Sequence, residues 1–206
     1  MTGAKLAKDP YNVIITGVGG QGNVIASRVL ANMLVRRGLF VTIGETFGAS
    51  QRGGSVMSHL RISETGTWSP QMPKGGADVI MALEPTEAVR VLYDYGNPGV
   101  KIVSNTRPIH AVGVIAGDLD YPSLEATKKS AGELSSEAWF VDATDEALKL
   151  GHPILGNVIM LGALAAVSGL PLELEDFREV IGKVVPADKL SVNLQAFELG
   201  KSLVGH

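Results

Sequence analysis

The sequence contains no cysteine, few aromatic residues and no concentration of positive charge. Without cysteine, this chain forms no disulfide, performs no thiol chemistry and supplies no thiolate to an iron–sulfur cluster. Its net charge is −3 and no basic face is visible, which argues against binding to nucleic acid. The four histidines lack the spacing of a metal site and no Ser–His–Asp arrangement is visible, so we expect no metal here.

Long apolar runs are also missing. The longest, residues 158–167, is about half the length that a membrane span requires. The first residues are polar and are not followed by an apolar run of signal-peptide form. We therefore expect a soluble, cytoplasmic protein that does not bind membranes. Charged residues make up only 19% of the chain, which suggests a surface that is covered by association with another subunit.

Short apolar runs alternate with segments of helical periodicity along the chain. A buried strand at 12–16, a helix at 21–37 and a strand at 39–43 form a βαβ unit, which predicts a parallel pair of strands. Residues 55–63 alternate apolar and polar positions, which favours a strand near a sheet edge. Further strands are predicted at 78–83, 101–104 and 138–142, and further helices at 84–95, 123–134, 143–150 and 155–168, with two amphipathic helices after them.

This pattern predicts one α/β domain over residues 1–206. It is a three-layer, Rossmann-like domain with a mainly parallel sheet, in which residues 1–150 form the core and residues 151–206 a helical extension. The helix at 155–168 is almost uncharged and rich in small residues, which is typical of either core or a subunit interface.

A glycine-rich turn separates the first strand from the first helix. Gly17, Gly19 and Gly22 fit the pattern G-x-G-x-x-G, in which glycines let the backbone approach a phosphate at a helix N-terminus. Glu45, at the end of the second strand, lies roughly where an acid would bind the ribose of a dinucleotide. Two interpretations stay open: a dinucleotide site, or glycines that only permit close packing of helix on strand.

A second glycine-rich segment, residues 48–54, offers hydrogen-bond donors. Gln51 and Arg52, next to Gly53, present an amide and a guanidinium group, which suit phosphates and carboxylates. The alternative is an ordinary loop with a surface arginine. Residues 105–107 follow a strand end, where ligands of open α/β sheets tend to bind, and Asn157 begins the apolar helix, where it suits the role of cap.

Taken together, these motifs resemble one family. The turn G-V-G-G-Q-G at 17–22 and the segment G-A-S-Q-R-G-G-S-V-M-S-H-L-R-I at 48–62 are similar to the gamma-type domain of the 2-oxoacid:ferredoxin oxidoreductases. The resemblance continues through M-A-L-E-P-T-E-A at 81–88 and G-N-V-I-M-L-G-A-L at 156–164, so it covers most of the chain. Within that family, the second half is most similar to beta subunits of the branch that oxidises indolepyruvate.

The resemblance implies an enzyme subunit that is inactive alone. Thiamine diphosphate, magnesium and iron–sulfur clusters would lie in a large alpha subunit, and electrons would pass through the complex to ferredoxin. The complex would decarboxylate a 2-oxoacid oxidatively and transfer the acyl group to coenzyme A. The cofactors perform that chemistry, while the protein supplies position and exclusion of water.

By the same analogy, the main-chain amides of Gly19, Gly20 and Gln21 and the donors of Gln51 and Arg52 would hold an anionic group, with coenzyme A as the candidate. They would otherwise organise the contact with the large subunit. No residue of this chain is assigned a proton-transfer role. Two alternatives are a stand-alone NAD-binding protein and a purely structural subunit. The candidate site consists of Gly17, Gly19, Gly20, Gln21, Gly22, Gln51, Arg52 and Gly53.

Overall fold

A computed structural model describes residues 5–47, 54–110, 112–118 and 120–205. Within these ranges the strands are β1 (Tyr11–Val18), β2 (Phe40–Phe47), β3 (Ser55–Ser63), β4 (Val79–Ala82), β5 (Lys101–Asn105) and β6 (Glu137–Val141). The helices are α1 (Asn23–Arg36), α2 (Pro85–Tyr95), α3 (Val112–Ile115), α4 (Leu124–Glu133), α5 (Ala143–Lys149), α6 (Leu155–Val167), α7 (Leu174–Ile181) and α8 (Ala187–Ser202).

The strands form one sheet in the order β2-β3-β1-β4-β5-β6. Strands β1, β4, β5 and β6 are paired in parallel, whereas β3 is antiparallel to both β1 and β2. Helices α1 and α6 pack on one face of the sheet, while α2 and α4 pack on the other. The predicted three-layer α/β fold with a mainly parallel sheet is therefore confirmed.

The expected pairing of β1 with β2 is wrong, whereas β3 does lie near a sheet edge, next to the edge strand β2. β1 and β2 run in the same direction but are not paired, because β3 lies between them. β3 is an interior strand and is buried at every position after Ser55. Its polar side chains tolerate burial partly because they find partners within the chain: Arg61 Nε donates to Asn12 Oδ1 at 3.2 Å, and Arg61 Nη1 donates to the carbonyl of Ser69 at 3.3 Å.

The alternation of β1 divides the core between the two faces of the sheet. Val13 and Ile15 contribute to the larger apolar cluster, which α1 and the C-terminal helices cover, whereas Ile14 contributes to the cluster under α2. The turn after β1 is thus held by a strand that is buried on both sides.

The sequence allows two roles for helix α6, part of the core or a subunit interface. In the structure α6 packs against α8 within the chain. A Cβ atom at Gly162 would collide with the carbonyl oxygen of Phe197, and one at Gly200 with that of Ile159. The small residues therefore allow the two helix backbones to approach closely. In the part of the chain that the structure describes, no helix is long and apolar enough to cross a membrane.

Candidate functional site

A crevice of about 410 Å³ opens at the carboxyl ends of β1, β4 and β5. After β1 the chain passes through α1 to β2, at one edge of the sheet. After β4 it passes through α2 to β5, which lies in the opposite direction along the sheet, so the crevice lies where the direction of the connections reverses. Ligands of open α/β sheets bind outside the carboxyl ends of the strands, at such a switch point. The polar groups of the crevice come from Gln21, Asn105, Arg107, Thr144, His152 and Asn157.

The glycine turn borders this crevice, and two of its glycines, Gly17 and Gly22, are needed for packing. Gly22 caps α1 with a φ of +87°, and Gly20 has a φ of +103°, values that side chains rarely adopt. A Cβ atom at Gly22 would stand 2.5 Å from Asn157 Nδ2, and one at Gly17 would stand 2.7 Å from Gln21 Oε1. This geometry supports the close-packing interpretation, while Gly20 is exposed at the crevice.

Gln21 links the ends of two strands. Its Oε1 accepts from the amide of Val18 at 2.7 Å, and its Nε2 donates to the carbonyl of Leu83 at 2.8 Å. The main-chain amide of Gln21 donates to the Val18 carbonyl, and that of Gly19 donates to the Gly54 carbonyl. Two of the three amides that the family analogy assigns to an anion are therefore bonded to main-chain carbonyls in this structure.

The remaining predicted donors, Gln51, Arg52 and Gly53, lie outside the described residues. Glu45, the candidate ribose acid, lies on β2 and pairs with Ser58 of β3, which in turn pairs with Ile15. Glu45 thus lies two strands away from β1, level with the middle of β1 and not with its carboxyl end. In dinucleotide-binding domains the acid follows a strand next to the glycine turn, so this position argues against NAD.

Asn105 forms the floor of the crevice. Its Nδ2 donates to the Leu83 carbonyl at 3.2 Å and to Thr144 Oγ1 at 3.0 Å. Its Oδ1 is buried and has no hydrogen-bond partner among the described residues. Buried polar atoms are normally paired, so within the described part of the chain this oxygen is a free acceptor at the base of the crevice. The strand-end rule predicted Asn105 as a ligand-binding position.

Glu84 and Tyr121 were missed by sequence reasoning. Glu84 is fully buried, and its Oε2 caps α2 by accepting from the Glu87 amide at 2.9 Å. Its Oε1 accepts from the Tyr121 hydroxyl and, at 3.4 Å, from the amide of Ile109. Burial and the Glu84 carboxylate raise the pKa of Tyr121 far above its usual value. The proline after Glu84 signals the helix start, but Tyr121 is 37 residues away in sequence.

The polar groups of the crevice are suited to binding a ligand. Arg107 is 60% exposed and its Nη1 is 3.8 Å from Asp145 Oδ1, so most of its donors face solvent. The remaining polar groups of the crevice are amides, a hydroxyl and the imidazole of His152, whose Nδ1 accepts from the Ile154 amide at 3.1 Å. Among the described residues, no group of three or more His, Asp or Glu could hold a metal ion.

Comparison with known proteins places this geometry in a family. The family model described as pyruvate ferredoxin/flavodoxin oxidoreductase matches residues 12–203. The chain belongs to that family. It is similar to the indolepyruvate oxidoreductase subunit IorB of Thermococcus kodakarensis, with 40% identity over 191 residues, which cover 92% of this chain and 94% of that subunit. The resemblance seen in the sequence is confirmed.

Solved structures of oxoacid oxidoreductases share the fold. The pyruvate oxidoreductase subunit PORC from Thermotoga maritima is 24% identical with a TM-score of 0.70, over 95% of this chain and 97% of that one. A 2-oxoglutarate:ferredoxin oxidoreductase from Magnetococcus marinus, solved with 2-oxoglutarate, coenzyme A and succinyl-CoA bound, is 23% identical with a TM-score of 0.70. The match covers 96% of this chain but 31% of that longer chain, so this fold occurs both as a separate chain and within a larger one.

Proposed function

We propose that this chain is the IorB-type subunit of an indolepyruvate:ferredoxin oxidoreductase. The observation that carries the proposal is the 40% identity to an IorB subunit over almost the full length of both chains. In this proposal the complex converts a 2-oxoacid into carbon dioxide and an acyl-CoA, and the two electrons pass to ferredoxin.

The redox groups belong to a large partner subunit in this proposal. The chain has no cysteine, so iron–sulfur clusters held by thiolates must be supplied by another chain. Thiamine diphosphate and its magnesium supply the decarboxylation chemistry from that partner. This chain contributes by covering the active site and by binding, which agrees with a crevice whose polar groups are amides, a hydroxyl, an imidazole and one guanidinium group.

Coenzyme A is the candidate ligand at the crevice. The unpartnered Asn105 Oδ1 would accept a hydrogen bond from an amide of its arm, and the exposed Arg107 guanidinium suits a phosphate. Gly20 lies exposed at the same crevice. Gln51 and Arg52 remain predicted donors to the anionic part, while Gly17, Gly22 and Gly53 would give the turn and the loop their shape.

Coexpression with the large subunit tests the proposal. The purified complex is expected to reduce ferredoxin or a low-potential dye with indolepyruvate, and only when coenzyme A is present. A complex that uses other 2-oxoacids but rejects indolepyruvate would contradict the substrate assignment. Reduction of the dye by this chain alone would contradict the assignment of the redox groups to the partner.

A further inference from the structure

The segment that follows β5, residues 106–110, forms one wall of the crevice. We call these residues the strap. Arg107, Pro108 and Ile109 line the crevice directly. The first residue of the strap is fixed to the sheet, because the Thr106 amide donates to the Val141 carbonyl at 3.0 Å. The hydroxyl of Thr106 also hydrogen-bonds the Asp142 carboxylate.

The far end of the strap is fixed by Glu84. The amide of Ile109 donates to Glu84 Oε1, which also accepts from the Tyr121 hydroxyl. The rings of His110 and Tyr121 lie in contact, with their centroids 4.8 Å apart. One carboxylate oxygen therefore holds the strap both directly and through the aromatic pair.

A glutamate is an unusual choice if its only role is to cap α2. Serine, threonine, aspartate and asparagine are the preferred N-cap residues, and a fully buried carboxylate is costly unless each oxygen is hydrogen-bonded. Glu84 Oε2 already accepts from the Thr86 hydroxyl at 2.6 Å and from the Glu87 amide at 2.9 Å, which completes the cap. The second oxygen is thus available for the strap.

Glu84 also fixes the strap relative to the floor of the crevice. The residue before it, Leu83, accepts from both Gln21 and Asn105 through its carbonyl oxygen. The glycine turn, the crevice floor and the strap are therefore all bonded to two consecutive residues at the end of β4.

We propose that Glu84 is a positioning residue that holds the strap against the crevice and so sets the affinity for the ligand bound there. It touches no reacting atom and acts through Arg107 and Pro108, whose place it fixes. The identity of the ligand rests on the proposed function, and coenzyme A is the probe. The position of the strap itself does not depend on that assignment.

The first test measures amide exchange in the full complex for Glu84→Gln and Tyr121→Phe, with Tyr93→Phe as the matched control. Tyr93 is 84% exposed, so its variant loses the same hydroxyl without a buried bond. In Glu84→Gln the Ile109 amide is expected to exchange about tenfold faster, because its hydrogen bond to a charged group is lost. Tyr121→Phe keeps that bond and removes only the second hold on Glu84, so its increase is expected to be smaller. Amides in α2 should keep their protection, because Gln can still cap the helix and Tyr121→Phe leaves the cap intact. Unchanged exchange at Ile109, or an equal increase throughout α2, would overturn the proposal.

The second test separates binding from turnover. In Glu84→Gln the KM for coenzyme A is expected to rise about tenfold, and in Tyr121→Phe by a smaller factor, while kcat changes little, since the strap shapes the binding wall and not the redox groups. Faster exchange at Ile109 with an unchanged KM for coenzyme A would overturn the positioning role. A wild-type complex without any coenzyme A-dependent activity would instead contradict the proposed function, and the exchange measurement would still decide whether Glu84 holds the strap.

Discussion

Replacing Gln21 distinguishes a structural link from a ligand-binding group. In Gln21→Ala, the amide of Val18 loses its acceptor at 2.7 Å and the carbonyl of Leu83 loses one of its two donors. Leu83 keeps the bond from Asn105, so only the Val18 amide is left without a partner. An unpaired buried amide costs about 1 to 3 kcal/mol and the second lost bond about 1 kcal/mol.

We therefore expect the free energy of unfolding to fall by about 2 to 4 kcal/mol in Gln21→Ala. For a chain of this size that corresponds to a melting temperature lower by roughly 4 to 16 °C. Gln21→Glu keeps the acceptor for Val18 but places a negative charge against the Leu83 carbonyl, so it should also destabilise the chain. Gln71→Ala is the control, because Gln71 is exposed in a loop and the change should alter stability by less than about 0.5 kcal/mol.

Urea unfolding of the three variants, followed by circular dichroism, measures these differences. The reasoning is refuted if Gln21→Ala is as stable as Gln71→Ala. If coenzyme A binding were lost in that stable variant, Gln21 would be a ligand-binding group, as the family analogy first suggested.

Two further predictions concern the core. Gly162→Ala should lower the free energy of unfolding by about 1 to 3 kcal/mol, because the new Cβ collides with the carbonyl of Phe197. The control Gly132→Ala has open space around its Cβ and should leave stability in thermal melts unchanged or raise it. Equal effects at both sites would contradict the close α6–α8 contact. Burial lowers the pKa of His59 below 6.5, so His59 binds a proton more readily in the unfolded chain than in the folded chain. Stability should therefore fall as the pH drops below 6.5, by up to about 1.4 kcal/mol per pH unit, and His59→Phe should remove this part of the slope. An identical slope in both proteins would show that folding does not lower the pKa of His59.

Local patterns predicted most of the elements because their signals lie within one segment. The apolar run before Gly17 gives β1, and the proline after Glu84 gives the start of α2. The strand-end rule also pointed correctly to Asn105 as a crevice residue. These inferences need only the period of the apolar residues and the chemistry of a turn.

The failures all involve partners that are distant in sequence. Alternation in β3 predicted the strand but not its burial on both faces, because Arg61 is hydrogen-bonded in the interior to residues on other segments. The same holds for Gln21, whose acceptor Leu83 is 62 residues away, and for Glu84 with Tyr121. Residue type and spacing show that a glutamine can bind a ligand, but only the fold shows that its amide already has partners.

The most direct test of the central claim is to titrate this chain into a separately purified large subunit and measure indolepyruvate-dependent reduction of ferredoxin in the presence of coenzyme A. We expect no activity from this chain alone and a rise in activity that saturates at a fixed ratio of the two chains. Activity of the large subunit that does not depend on this chain would contradict the assignment.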